Sequence, residues 1–333
     1  LAWMTSREDP GARPPCGGIL ADEQGLGKTV ELLALVATAP RAPPGAWSSP
    51  ALLGMAGGRP QGGTLAVLPN SILGQWASEA AAKAPGLQLV GGGPVLTFHG
   101  PNRGKHGLAD LAGATLVITT YGTLAADFGM GGCSGPSSSR SRTASPRLDE
   151  GMGEGGGGEG GGGGEEGGQG GTTAAPPSKR ARTSDAGALD ALPAPPPPTA
   201  GPLFRIAWAR VILDEAHTIR NPVTVGAKAA AALVARSRWA ATGTPILNGA
   251  DDLFGLWRFL RYAPYGRRQA FRALIADPLA AGSPAGLARL QAALGAVTLR
   301  RTKASAGLLL LDGGDGAGEA AALPPASSRA SPA

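Results

Sequence analysis

Runs of four or five apolar residues punctuate this chain, each bounded by glycine, proline or a polar residue and followed by a stretch of helical periodicity. Gly18–Ala21 reads as a short strand running into a glycine loop, and Val30–Val36 places valine and leucine on one side of a helix. Residues 40–63, rich in proline and glycine, read as a connection. Thr64–Leu68 is the next strand, stopped by Pro69 and Asn70, and a helix is predicted over 72–83. Leu89-Val90 and Val95–Phe98 suggest a further strand around a glycine bend, and Thr115–Thr119 another that ends at Thr120 and Tyr121. Arg210–Leu213 delivers Asp214, and Arg238–Thr242 leads into a Gly243-Thr244-Pro245 turn. Ser283 and Pro284 look like the cap and first residue of a last helix, in which Leu287, Leu290, Leu294 and Val297 recur at helical spacing.

Short apolar strands alternating with helices predict βα units around a mainly parallel sheet, an α/β fold with flanking helices. Open sheets of this type gather their functional residues at the carboxyl ends of the strands. Lys28, Thr120, Asp214 and Thr242 all fall just past such ends.

The alternation stops between Cys133 and Ala200. Residues 151–171 contain 15 glycines in 21 positions, and a proline run follows from Ala194 to Pro202. Ordering such a segment costs backbone entropy that no apolar burial offsets. Residues 134–200 are therefore expected to be a disordered insert looping out between two parts of one lobe, 1–133 and 201–303. The glycine- and alanine-rich residues 304–333 are expected to fray. A long structureless loop normally counts against an assignment, but closure entropy grows slowly with length, which tolerates it here. Within the insert, Ser178-Lys-Arg-Ala-Arg182 reads as solubilising charge or a nuclear import signal.

Composition narrows the classes. Two cysteines, Cys16 and Cys133, and three histidines exclude a zinc finger within this chain and argue against a disulfide-built fold. There is no uninterrupted apolar run of about 20 residues of the kind a membrane span needs, and no basic-then-apolar leader opens the chain. It starts with Leu1, which reads as a piece of a longer protein. Formal charge is +6; residues 134–200 hold six basic and eight acidic side chains, so the foldable remainder carries +8. That balance suits an anionic partner such as nucleic acid.

The chemistry lies in two stretches. Phosphate loops need glycine beside lysine so that backbone amides curl around phosphate, a lysine to reach the β- and γ-phosphates, and a hydroxyl for magnesium. Asp22-Glu23-Gln24-Gly25-Leu26-Gly27-Lys28-Thr29 meets these requirements between a strand and a helix whose dipole adds positive charge. The strict pattern has glycine where Asp22 stands. In Asp214-Glu215-Ala216-His217, the first carboxylate is placed to hold Mg2+ with Thr29, and the second to orient or deprotonate the attacking water. His217 is a candidate to couple this site to Thr242, Gly243 and Thr244 by hydrogen bonding, against the plainer reading of a structural histidine. Lys28, Asp214, Glu215 and His217 form the candidate catalytic set, with ATP and Mg2+ as cofactors.

At these residues the chain resembles the helicase-like ATPase motors of the Swi/Snf-related type. Gly17–Thr29 is similar to that family's nucleotide loop, with Gln24 where methionine is commoner. Leu1–Met4 with Arg7-Glu8 looks like the end of its first conserved segment. Pro69, Gln75 and Trp76, then Phe98–Gly100, then Thr119–Tyr121, fit the motifs that follow. Trp208–Asn221 is the most specific stretch, and its Ile219-Arg220-Asn221 ending looks like the branch of post-replication-repair ubiquitin ligases and the helicase-like transcription factor. Arg238–Asn248, Asp252–Phe254, Phe259-Leu260, Pro264–Gly266 and Leu299–Lys303 complete the likeness. The resemblance implies a RecA-like P-loop lobe, ATP-driven translocation on double-stranded DNA without sequence preference, remodelling of chromatin or repair intermediates with proteins of that kind as partners, and a nuclear location. It also implies Ser71, Gln75, Thr119, Thr120, Tyr121 and Arg220 as contacts to phosphate or sugar.

Members of that family hydrolyse ATP between two lobes, with an arginine from the second, and nothing after Lys303 reads as that lobe. The competing reading is a truncated, non-catalytic protein that retains the fold and binds nucleic acid or a partner.

Overall fold

Alternation along the strands decides the layering. Leu65 and Val67 face one helical layer while Ala66 and Leu68 face the other; Ile19 and Leu20, and Val211 and Ile212, divide in the same way. The structure is a computed structural model that describes residues 1–9, 11, 14–38, 56–83, 94–129, 189–190, 193–246 and 249–305. The expected strand residues Leu89-Val90, the basic cluster at 178–182, Leu247-Asn248 and the chain beyond Ser305 lie outside the described residues.

The strands are β1 (Gly17–Leu20), β2 (Gln61–Leu68), β3 (Val95–Thr97), β4 (Leu116–Thr120), β5 (Ala207–Leu213), β6 (Val234–Ala241) and β7 (Thr298–Leu299). They form one sheet in the order β3-β4-β2-β5-β6-β1-β7, and every neighbouring pair is parallel. Thus β5 and β6, which follow the insert, sit between β2 and β1, which precede it. Helices α1 (Ala2–Arg7), α2 (Lys28–Thr38) and α3 (Leu73–Lys83) cover one face through Met4, Leu32, Leu33, Leu35, Val36, Trp76 and Ala80. The other face carries α4 (Leu108–Gly113), α5 (Tyr121–Gly129), α6 (Val225–Ala232), α7 (Asp251–Leu260) and α8 (Pro284–Val297). On α8, Leu290 and Val297 are buried and Leu294 half-buried, but Leu287 faces solvent and leaves the expected apolar stripe.

One part of the expected insert belongs to the fold. Leu189 packs on the core, and its carbonyl accepts a hydrogen bond from Arg258 Nη1 at 2.7 Å. The Asp190 carboxylate accepts from the backbone N–H of Gln269, and Ala200 is buried. The expectation that the chain stays outside the fold as far as Ala200 is therefore corrected for residues 189–190 and 193–200. Leucine and alanine there find apolar seats that their low-complexity surroundings concealed.

On the face of the sheet covered by α1, a polar hub fixes that helix. Glu8 accepts from Arg210 Nε at 2.6 Å and Trp239 Nε1 at 2.7 Å and is also paired with Arg210 Nη2; its carbonyl accepts from Arg236 Nη2 at 2.6 Å. Arg210 Nη1 donates to Thr64 Oγ1 at 3.1 Å. Arg210 lies on β5 with its side chain almost fully buried, where a charge persists only with a partner. Glu8→Ala should therefore destabilise the lobe by about 3–5 kcal/mol, as removal of one member of a buried pair does. Arg210→Met added to it should recover part of the loss. Equal urea midpoints for Glu8→Ala and the parent chain would contradict this.

Asp127, near the end of α5, ties that helix to the returning chain. Its Oδ2 accepts from Leu203 N at 3.0 Å and its carbonyl from Gly201 N at 2.8 Å. Burial raises its carboxyl from 3.8 to about 6, against the opposing pull of the Leu203 N–H and the Arg103 charge. With the folded value above the unfolded one, this group's contribution is full below pH ~4 and is lost as pH rises through about 6. Asp127→Asn should remove roughly 1 kcal/mol of the parent's stability loss between pH 5 and 7.5, measured by urea unfolding. An unchanged pH dependence would refute the assignment.

Candidate active site

Sheet register brings five strand ends level. Leu68 pairs with Thr120, Val67 with Leu213, Leu213 with Ala240, and Leu20 with Ala241. The loops after β1, β5 and β6 therefore emerge side by side, with Thr242 between the phosphate loop and the two acids.

The phosphate loop leaves β1 at Ala21, whose N–H donates to Leu299 O at 2.7 Å. Gly25 and Gly27 have φ of +89° and +83°, which only glycine adopts without strain, and nothing stands within 4 Å of where a Gly27 side chain would begin. The result is an open concavity of backbone ending at Lys28, the first residue of α2. Lys28 Nζ lies over it, donating to the carbonyls of Asp22 at 2.8 Å and Glu23 at 3.3 Å. Thr29 is half-buried in the next position. This cradle, with one ammonium and a hydroxyl at a helix start, fits a nucleotide's phosphates and their magnesium.

Asp22 departs from its expected place in the cofactor set. Its side chain is fully buried; Oδ1 accepts from the backbone N–H of Arg301 at 2.8 Å, and Oδ2 from Arg301 Nε at 3.0 Å and from Nη2. The carboxylate is thus turned away from the loop's concavity, and Asp22 contributes there through its carbonyl. Glu23 likewise accepts from the backbone N–H of Lys303 at 2.8 Å.

Asp214 follows β5 and is nearly buried. Oδ2 accepts from Trp76 Nε1 at 2.8 Å and Oδ1 from Glu215 N at 2.9 Å. Burial raises its carboxyl above the ordinary range, while the two donors and the Lys28 charge oppose that rise. Lys28 and Asp214, from loops at different strands, are thus within electrostatic reach. Glu215 has φ of +49°, a left-handed bend that takes it out of the strand line and leaves its carboxylate partly exposed. His217 Nδ1 lies 3.1 Å from Glu215 Oε2 but is off the direction of a hydrogen bond. Among the described residues no hydrogen bond joins His217 to Thr242–Thr244, so the expected direct link is corrected. Thr242 is buried and its backbone N–H donates to Leu20 O at 3.1 Å; a side chain at Gly243 would start 3.5 Å from Gln24 Cγ. That turn lies against the phosphate loop.

The expected DNA-facing residues divide. Ser71, Gln75 and Arg220 are exposed. Thr119 is buried and donates to Phe98 O at 2.8 Å. Thr120 is buried and bonded to His99 and Thr123, at 3.2 and 3.0 Å. Tyr121 is buried with its hydroxyl donating to Asp214 O at 2.8 Å, and burial raises its phenol well above the ordinary value. These bonds fix how the three side chains are turned: Thr119 lies in the interior, whereas Thr120 and Tyr121, with Asn70, His99, Arg103 and Gly122, line a cleft of 510 Å³.

Three residues had no role from chemistry along the chain. Trp76 holds Asp214, Arg301 holds Asp22, and Gly255 lets α7 approach Ile219 and Arg220, just past the acids, so closely that a side chain there would overlap the carbonyl of Ile219. Trp76 and Arg301 lie 138 and 279 positions from their partners, beyond any local spacing signal.

A model of the SNF2-related domain matches residues 1–311. The chain is 33% identical to helicase-like transcription factor CHR27 of Arabidopsis thaliana over 94% of its own length and 34% of that protein's. It is 29% identical to DNA repair protein RAD5 of Mycosarcoma maydis, covering 91% of this chain and 20% of that protein. The chain thus spans about a third or less of the length of these relatives. Among solved structures, the Sulfolobus solfataricus SWI2/SNF2 ATPase core in complex with double-stranded DNA shares the fold, with a TM-score of 0.53, 23% identity, and coverage of 91% of this chain and 42% of that one.

Trp76→Phe keeps an apolar ring under α3 and deletes only the donor to Asp214. The expected loss is about 1–3 kcal/mol, the range for a buried hydrogen bond to a charged group. Urea unfolding reads it; unchanged stability would show that the bond carries no weight.

Proposed function

This chain belongs to the SNF2-related domain family, and on that footing we propose that it is the ATP-binding lobe of a DNA-dependent ATPase. The observation that carries the proposal is the meeting of Lys28 and Asp214 at level strand ends, where the Lys28 charge acts on the Asp214 carboxyl. In this reading the amides of Gly25–Gly27 and the Lys28 ammonium bind the β- and γ-phosphates. Thr29 and Asp214 would hold Mg2+, whose charge would offset that developing on the transferred phosphoryl group.

Glu215, turned toward solvent by its left-handed backbone, orients the attacking water and accepts its proton. His217 stands against its carboxylate, and Gly243 rests on the phosphate loop. That contact makes Thr242–Thr244 a relay from loop to sheet.

The second substrate is double-stranded DNA, gripped through its backbone without sequence preference. Ser71, Gln75 and Arg220 are candidates because they are exposed, and Arg103, Thr120 and Tyr121 join them from the cleft lining. The fold shared with an ATPase core solved on double-stranded DNA supports this partner. Movement along the duplex, remodelling of chromatin or repair intermediates, partner proteins of those processes and a nuclear location are the finer part of the proposal. Relatives described as a transcription factor and a DNA repair protein support it.

Lys28→Ala should abolish magnesium-dependent nucleotide binding, read by fluorescence titration, and leave the thermal midpoint within a few degrees, since the side chain packs against no core. Retained affinity would overturn the nucleotide site. The 333-residue chain alone should turn ATP over negligibly even with duplex DNA, because a transition-state arginine supplied from elsewhere is worth about 10³–10⁵ in rate in related enzymes. DNA-stimulated turnover near one per second would contradict that. Stimulation of the longer protein by duplex RNA in place of DNA would move the reading to an RNA-dependent motor.

A further inference from the structure

The segment that leaves the sheet after β7 is fastened to the phosphate loop at more points than chain connection requires. Besides the Leu299 and Lys303 bonds already described, Glu23 N donates to Arg301 O at 3.0 Å. The Arg301 guanidinium then forks. One side holds Asp22, the residue before the loop's free turn; Nη2 also donates to both oxygens of Glu31, at 2.6 and 2.7 Å, on the first turn of α2. One planar cation therefore brackets the loop at both ends. A planar fork of fixed geometry can set the separation of two carboxylates, which a lysine ammonium on a flexible stem does not.

The contacts run on to the reactive group. Arg301 holds the Asp22 carboxylate, and the carbonyl of that same Asp22 accepts from Lys28 Nζ. The Asp22 side chain is fully buried whereas that of Arg301 is 38% exposed, so the buried charge depends on a partner standing at the surface. That partner stands two residues past an edge strand of two residues, whose ladder pairs it with Ile19 and Leu20. Displacement of the edge carries Arg301 with it, leaves Asp22 with no countercharge, and frees the turn on which Lys28 rests.

We propose that Arg301 is a positioning residue for the phosphate loop, and that Leu299–Lys303 couples the segment leaving the sheet to the loop's hold on nucleotide. The proposal rests on the nucleotide-site reading. Linkage makes the coupling reciprocal: if the exit segment tightens the loop, phosphate bound in the loop tightens the exit segment by the same factor.

The test uses the 333-residue chain, a fluorescent adenosine diphosphate analogue with Mg2+, and hydrogen exchange with and without that ligand. Arg301→Gln should weaken binding roughly 10-fold, within the range typical of such coupling. The neighbouring exposed Arg300→Gln should leave it unchanged. Bound nucleotide should slow exchange over residues 299–305 in the parent chain, and Arg301→Gln at saturating ligand should lose that protection while the central strands keep theirs. Arg301→Lys, which keeps the charge without the fork, should fail to restore affinity.

Parent-like affinity in Arg301→Gln, with Lys28→Ala unable to bind, would overturn the proposal and leave the nucleotide site standing. Parent-like affinity in Lys28→Ala would overturn both. If Arg301→Gln does not fold, the parent decides: absence of nucleotide-dependent protection at 299–305 refutes the coupling.

Discussion

The hydrogen-bonded register of β2, β5, β6 and β1 sets the height of every reactive group in this protein. A parallel sheet presents all its carboxyl ends on one rim, and pairing Val67 with Leu213, Leu213 with Ala240 and Leu20 with Ala241 puts three loops at one level. A slip of one residue in any pair would turn its side chains to the opposite layer. Trp76 from α3 could then no longer reach Asp214. The site's geometry is thus a consequence of core packing, since Leu65 and Val67 on one face and Ala66 and Leu68 on the other resist such a slip.

Buried charge is the second organising theme. Among the described residues, three buried or nearly buried carboxylates take a side-chain donor from a distant element: Glu8 from Arg210, Asp22 from Arg301, and Asp214 from Trp76. A carboxylate removed from water demands such partners, so each one locks together parts of the chain that hydrophobic contact alone would place less strictly. The first fixes α1 to β5 and β6, the second fixes the loop before α2 to the segment after β7, and the third fixes the acid site to α3. Only the last two border the candidate reaction centre, which explains why it sits on a rigid floor although its upper loops are open.

Much of this arrangement was legible in the sequence. Glycines at 25 and 27 beside Lys28, between an apolar strand and a helix, announced a left-handed loop between β1 and α2, because only glycine takes that backbone without strain. The run Val211–Leu213 before Asp214-Glu215 announced a strand end carrying acids, and the strand–helix alternation announced the parallel sheet. The seats of Leu189 and Ala200 were not legible, since composition reports the average character of a segment and those two residues are exceptions inside it. Arg301 and Trp76 were visible as members of motifs, but their partners lie too far along the chain for spacing to reveal.

What the sequence by itself determined is local: where the backbone can turn left-handed, which runs prefer strand or helix, and which polar residues stand at the ends of strands. Tertiary structure alone decided which way those polar side chains point. Thr119 and Thr120 end their strand and Tyr121 opens α5, yet it is Phe98, His99 and the Asp214 carbonyl that decide their orientation, Thr119 into the interior and the other two against a cleft. Asp22 opens the phosphate loop yet turns toward Arg301. The physical reason is the same in each case. A polar side chain at a strand end takes the strongest partner within reach, and that partner is supplied by another part of the chain only once the sheet has assembled.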